Sequence, residues 1–343
     1  MSAVTGNDLQ PEQTDPPKQK DGFWRWVTAA VVVPIMVALI AVFGPNVVDD
    51  DKGSNGEPWD SGAMVVGEPI KVPGFPVALA VGEGAVRVTA RQGDQVLSID
   101  PQERRPKATM PVPVAAPEGI AEDDGSVWVV SAEGDSVVRI DAASGAQVGD
   151  PIPVGRYPRG VAVGEDAVWV TNGNEDSVTR IDPETGTVEE EISEVGEFPH
   201  QVAVGEGSVW VSNRDSGTVA RIDPGSNAVA KEILVGNAPK GIAIAEGEVW
   251  VANTGADNVV RIDPDNDELV GEPIDVGDEP RGAVAAFDSV WVANGGGDVS
   301  RIDPETGKVD PIDVPGSPEG IAAGPDYVWV ANGLDDTVTR IGP

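Results

Sequence analysis

The chain has 343 residues, no cysteine and one histidine, His200. That composition excludes disulfides, thiolate catalysis, zinc–thiolate and iron–sulfur sites, and any mechanism needing two imidazoles. A net charge of −35, from 58 acidic against 23 basic residues, disfavours nucleic acid, which is gripped through cations on phosphate, and equally an anionic membrane surface. The acidity implies a well-solvated surface, or a saline medium in which repulsion between carboxylates is screened.

In chain order, residues 1–22 are polar and without apolar periodicity, which predicts a disordered cytoplasmic tail. Residues 23–44 follow as a predicted transmembrane helix, built on 18 uncharged residues from Trp26 to Phe43, near the minimum for crossing a bilayer. Trp24 and Trp26 fall where an interfacial aromatic belt would lie. Lys18, Lys20 and Arg25 precede the run, and Asp49, Asp50 and Asp51 follow it. The positive-inside rule then leaves the N-terminus in the cytoplasm and everything after Phe43 outside the cell membrane. The alternative is a cleaved signal peptide and a secreted protein. Against it, no small-residue cleavage site follows the run, and Pro45 stands where cleavage would fall. Residues 45–64 are a linker of turn formers and charges.

From residue 65 to residue 343 the chain repeats itself. Val168-Trp169-Val170 recurs around Trp128, Trp210, Trp250, Trp291 and Trp329, and Val86-Arg87-Val88 is a degenerate copy; the steps between these centres are 41, 41, 41, 40, 41 and 38 residues. Each unit holds four short runs of β-branched residues separated by turn sequences such as Asp182-Pro-Glu-Thr-Gly186. Units of about 40 residues with four strands each match propeller blades. The last unit stops after its third strand, and Val65–Val72 nearly copies Leu269–Val276, a fourth strand elsewhere. The expected architecture is all-β: a seven-bladed β-propeller closed by an N-terminal strand, residues 65–343, behind a single transmembrane helix, and monomeric.

Residues present in nearly every unit read as scaffold. The tryptophans should fill the gaps between blades, and Arg139, Arg180, Arg221, Arg261, Arg301 and Arg340 should lie over them or pair with carboxylates. Asn172 and its equivalents should fix the turn after the second strand through bonds to backbone. Function is sought where the units differ. The position after the loop proline, facing the channel mouth, holds in blade order Val77, Glu118, Arg159, His200, Lys240, Arg281 and Glu319. Arg156, Tyr157, Phe198 and Arg214 stand nearby. So many cations and aromatics on a strongly acidic chain predict a site for a small anionic or aromatic ligand, or for a protein or peptide partner. Asp263-Pro-Asp265-Asn-Asp267 lacks the glycine and glutamate of a calcium loop and reads as a hairpin turn.

The phrases V-W-V-x-N, V-x-R-I-D-P-x-T-G and I-x-V-G-x-x-P-x-G-I-A resemble YVTN-type propeller repeats and, equally, the streptogramin (virginiamycin B) lyase propellers. The lyase resemblance implies a magnesium-assisted, base-catalysed elimination that opens a cyclic depsipeptide, using two histidines a repeat apart with glutamates nearby. Here His200 matches one histidine, Lys240 stands one repeat later, and Ala238 brings no carboxylate. Two readings follow. The first is a membrane-anchored extracytoplasmic module that binds or senses at the mouth, without catalysis, cofactor or metal. The alternative is a lyase, or a lactone or ester hydrolase, using His200 and Lys240 with Mg or Ca.

Overall fold

The computed structural model describes residues 62–82 and 84–343. The expected tail, the span over 23–44 and nearly all of the linker lie outside the described residues. Within the described residues no helix is long and apolar enough to cross a membrane.

Among the described residues the chain forms seven antiparallel sheets of four strands, one of them with its outer strand in two pieces. Blade 3 is representative, with strands Pro158–Gly164, Ala167–Asn172, Ser177–Ile181 and Val188–Ser193 running outward from the centre. Its first hairpin turns on Glu165 and Asp166, at φ 50° and 56°. Two successive positive φ values make the tight turn whose twist suits paired strands. Its next turn is set by Asp182, whose Oδ1 accepts from the amides of Glu184 and Thr185, each at 2.8 Å. A single 3₁₀ turn, Arg91–Gly93, is the one departure from strand and loop among the described residues.

The ring closes as the offset of the repeats requires. Met64–Val65 and Ile70–Lys71 pair with Thr337–Gly342, placing Val65 opposite Ile341 and Ile70 opposite Val338. The expected strand over 65–72 is therefore present but interrupted. Closure leaves blade 7 with its outer strand supplied from the start of the repeat region.

Blade-to-blade packing explains most of the repeated residues. Trp169 of blade 3 clusters with Val202, Val209 and Val211 of blade 4, and Trp210, Trp250, Trp291, Trp329 and Trp128 do the same at five further interfaces. Burying an indole at each joint contributes both apolar area and a fixed position, because its N–H needs a partner. Trp169 Nε1 donates to the Gly164 carbonyl at 3.0 Å, and Trp291 Nε1 to Ala286 at 2.9 Å. Outside each indole lies the repeated arginine, with Arg180 5.2 Å from the Trp169 ring centroid and Arg301 5.3 Å from that of Trp291. The glycine two places after the loop proline is equally positional. A Cβ on Gly160 would stand 2.8 Å from the His200 carbonyl oxygen, and one on Gly320 2.4 Å from that of Val77. Innermost strands of adjacent blades thus approach through bare backbone.

The asparagines depart partly from expectation. Asn213 and Asn253 donate to the carbonyls of Val195 and Val235, in the loop that enters the blade and not in the turn after the second strand, and also to Thr218 Oγ1 and Asn258 Oδ1. Asn172 and Asn332 bond two hydroxyls each, of Ser177 and Thr179 and of Thr337 and Thr339, because the third strand carries a second hydroxyl where blades 4 and 5 have Ala220 and Val260. The interface between blades 1 and 2 has no indole. Arg87 takes its place, 3% exposed, with Nη1 on the Glu122 carboxylate and Nη2 donating to the Ala142 carbonyl at 2.7 Å.

Candidate functional site at the channel mouth

The first strand of each blade enters at the loop proline, and the residue before that proline is left-handed in six blades, from Ala116 at φ 48° to Phe75 at 61°. Such a conformation is costly outside glycine, and in five of the six it is held by a carboxylate from the preceding blade. Asp135 Oδ1 accepts from the Tyr157 amide at 2.9 Å, and Asp176 Oδ1 from the Phe198 amide at 2.9 Å. Asp94, Asp257 and Asp336 hold Ala116, Glu279 and Phe75 in the same way. The kink turns the next side chain into the channel.

All seven positions singled out in the sequence therefore meet. Val77, Glu118 and Arg159 line one cavity of about 270 Å³ together with His200, Lys240, Arg281 and Glu319. An eighth lining residue, Arg91, escaped the sequence reading; it occupies the same repeat position as Arg214, directly after the second strand. That equivalence was the available signal, obscured because Ala90 replaces the asparagine that marks the position in five other units. Tyr157, Phe198 and Arg214 sit at the rim rather than in the wall. The two rings lie 6.3 Å apart between centroids, with Arg159 5.2 Å from the Tyr157 ring and Arg214 5.6 Å from the Phe198 ring. Arg156 turns away to Glu175, at 3.0 Å.

The cavity holds four cationic side chains and two carboxylates. Glu118 is buried between two guanidiniums, its Oε2 2.7 Å from Arg91 Nη2 and its Oε1 2.7 Å from Arg159 Nη1. Arg281 is bonded to Glu319 and Glu279, and donates to Ser317 Oγ at 3.0 Å. Arg159 also reaches His200, with Nη2 3.1 Å from Nε2. A guanidinium can only donate, so Nε2 accepts and the imidazole proton sits on Nδ1. Burial, and then the charge of Arg159, holds His200 well below the usual imidazole range, so it is neutral at pH 7. Lys240 has no ion-pair partner among the described residues. Burial, reinforced by Arg281, pulls its ammonium down to about 8, against the opposing pull of Glu319. Burial likewise raises the Glu319 carboxyl, with Arg281 opposing.

The divalent cation that the lyase resemblance implies does not fit this donor set. Among the described residues no three His, Asp or Glu side chains converge as a metal site. The His200 lone pair is taken by Arg159, and each carboxylate is already held by arginine.

Ring and closure define the class: a seven-bladed β-propeller. A model of the virginiamycin B lyase family matches residues 142–341, more than half of the chain, and the chain belongs to that family. Among solved structures it resembles a streptogramin B lyase, at 19% identity and TM-score 0.71, over 80% of this chain and 96% of that one. A catalytically inactive virginiamycin B lyase from Staphylococcus aureus, solved with quinupristin, matches at 16% identity and TM-score 0.71, over 80% and 98%. Hydrazine synthase from Kuenenia stuttgartiensis matches at 16% and TM-score 0.72, over 79% and 96%. Identities this low establish the fold alone. Among curated proteins nothing matches the chain.

Proposed function

We propose that this propeller is a binding or sensing module whose channel mouth takes a small anionic ligand without chemical turnover. It is held at the outer side of the cell membrane by the helix over 23–44 and works as a monomer. The observation that carries the reading is Lys240: a partly buried ammonium, flanked by Arg281 and Arg159, that makes no ion pair among the described residues, Glu319 acting on it only through space. A cation kept desolvated and unpaired costs stability unless something else answers it. An incoming carboxylate or phosphate would do so, with Arg281 and Arg159 adding charge-assisted bonds. The rim aromatics suit a ligand with an apolar part.

The test is thermal melting of the full chain against carboxylates, phosphates, sugars and peptides. A ligand at one hundred times its Kd stabilises by about 2.7 kcal/mol, and Lys240→Met should remove that shift. Equal shifts in Lys240→Met and native protein would sink the reading. Protease protection of the tail in sealed vesicles, with the propeller exposed, tests the anchoring.

A second reading, elimination or ester opening, draws on the family and on Lys240. An amine lowered toward neutrality is a competent general base, and His200 Nδ1–H could donate to a leaving oxygen. Product analysis with cyclic depsipeptides and lactones, with and without Mg²⁺ or Ca²⁺, separates the two; turnover lost in Lys240→Met would favour the enzyme.

A further inference from the structure

The mouth is only the first part of a longer channel. Below the charged ring, a second cavity of about 140 Å³ is walled by Ala78, Gly119, Gly160 and Gly282, and shares Glu118, Arg159 and His200 with the mouth. It also shares Leu79, Ile120 and Val161 with a third cavity of about 260 Å³. That third space is apolar, lined by Val163, Val204, Ile242 and Ile244 among others, and Glu122 is its one charged wall residue. Glu122 is held there by Arg87. The three cavities therefore stack along the innermost strands. From the ring at Glu118 to the far wall at Glu122 is four residues, about 13 Å of strand.

A channel cationic at one end and aliphatic beyond has the polarity of an amphiphile. We infer that the ligand is an amphiphilic anion, a straight-chain acyl carboxylate or its phosphate counterpart, with its head at Lys240 and its alkyl chain threaded down the channel. This inference rests on the anion-binding reading of the mouth and adds the tail. The head is answered by Lys240, Arg159 and Arg281. The tail displaces water from walls of valine, isoleucine and leucine, which cannot hydrogen-bond it.

The experiment measures affinity of the full chain for n-alkanoates from acetate to decanoate at pH 7, with decylammonium as control. Each methylene buried should tighten binding about fourfold, until the chain outgrows the channel, and decylammonium should bind far more weakly. Val163→Phe, which narrows the apolar part, should keep butyrate binding and lose the gain for decanoate. Should that variant fold poorly, Ile244→Ser adds no bulk and should flatten the increment per methylene. Affinity independent of chain length would overturn the tail and leave the mouth reading standing. No binding of any alkanoate or alkyl phosphate would overturn both. A chain-length gain shared by decylammonium, or unchanged in both variants, would place the alkyl chain elsewhere and overturn the inference.

Discussion

Charge is buried between blades 1 and 2 and at the channel mouth, and these two places are balanced differently. Between the blades one guanidinium meets one carboxylate, Arg87 on Glu122, and the pair substitutes for the indole found at the other six joints. At the mouth four cations meet two carboxylates, and Lys240 is left over. At the joint charge is matched one to one; at the mouth surplus cationic charge faces a cavity with access to ligand. On the proposed reading, the contrast makes Lys240 a ligand-binding residue and Arg87 a structural one, although both are cations shielded from water.

The largest expected effects break the matched pair. Glu122→Ala strands a buried guanidinium and should cost about 3–5 kcal/mol, comparable to Trp210→Ala at an ordinary joint, where cavity and transfer losses also come to about 3–5 kcal/mol. Denaturant unfolding of both variants checks the equivalence. Restoring the repeat is the sharper test. In Arg87→Trp with Glu122→Val, the carbonyl of Gly82 stands where Gly164 accepts from Trp169. The double variant should be neutral or more stable by about 1–4 kcal/mol, while Arg87→Trp alone should be destabilised, because it leaves Glu122 buried without its cation.

Much of this was legible in the sequence because repetition does the averaging. Blade number, closure through Val65–Val72, the indole joints and the arginines over them each recur, so one reading could be checked against five others. The seven mouth positions were legible for the opposite reason: they occupy one repeat position and differ there. What escaped is pairwise and unrepeated. Arg87 and Glu122 are 35 residues apart, and neither signals the other unless both are seen as departures from the pattern at facing positions. Arg91 escaped with the same degenerate repeat. That Arg159 occupies the His200 lone pair, which removes that nitrogen from base or metal chemistry, depends on side-chain geometry that spacing does not encode.

At the mouth the effects are smaller for stability and larger for binding. Lys240→Met removes a desolvated ammonium without stranding a partner, so the unliganded protein should melt slightly higher while anion binding is lost. The pH dependence separates the two roles further. Native Lys240 releases its proton near 8 but the unfolded chain near 10.5, so between these values the unfolded state binds more protons. The Lys240 contribution to stability therefore rises with pH across that window, whereas anion affinity falls as pH passes 8. His200, neutral when folded, adds the acid side: below about 6.5 the unfolded chain takes up a proton that the folded one refuses, so stability falls as pH drops. Lys240→Met should erase the alkaline rise and leave the acid limb. Loss of both limbs in that variant would mean that a different group titrates.

The smallest expected effect concerns exposed carboxylates that pair with no cation and cap a backbone amide instead. Asp176 caps the Phe198 amide across a blade boundary while itself left-handed at φ 52°. One boundary later Gly217 holds the same position at φ 73° and has no carboxylate to offer Ala238, so the ring tolerates one uncapped kink. Asp176→Gly copies that boundary without adding strain at φ and should cost about 1 kcal/mol, the scale of one cap. Asp176→Asn keeps the acceptor oxygen and should cost less. The kink at Phe198 carries His200 into the mouth, so the glycine variant should also loosen the His200–Arg159 contact, read as a rise in the His200 pKa by NMR. A Gly variant that loses stability while His200 titrates as before would show that the proline and the strand register hold the kink without the cap.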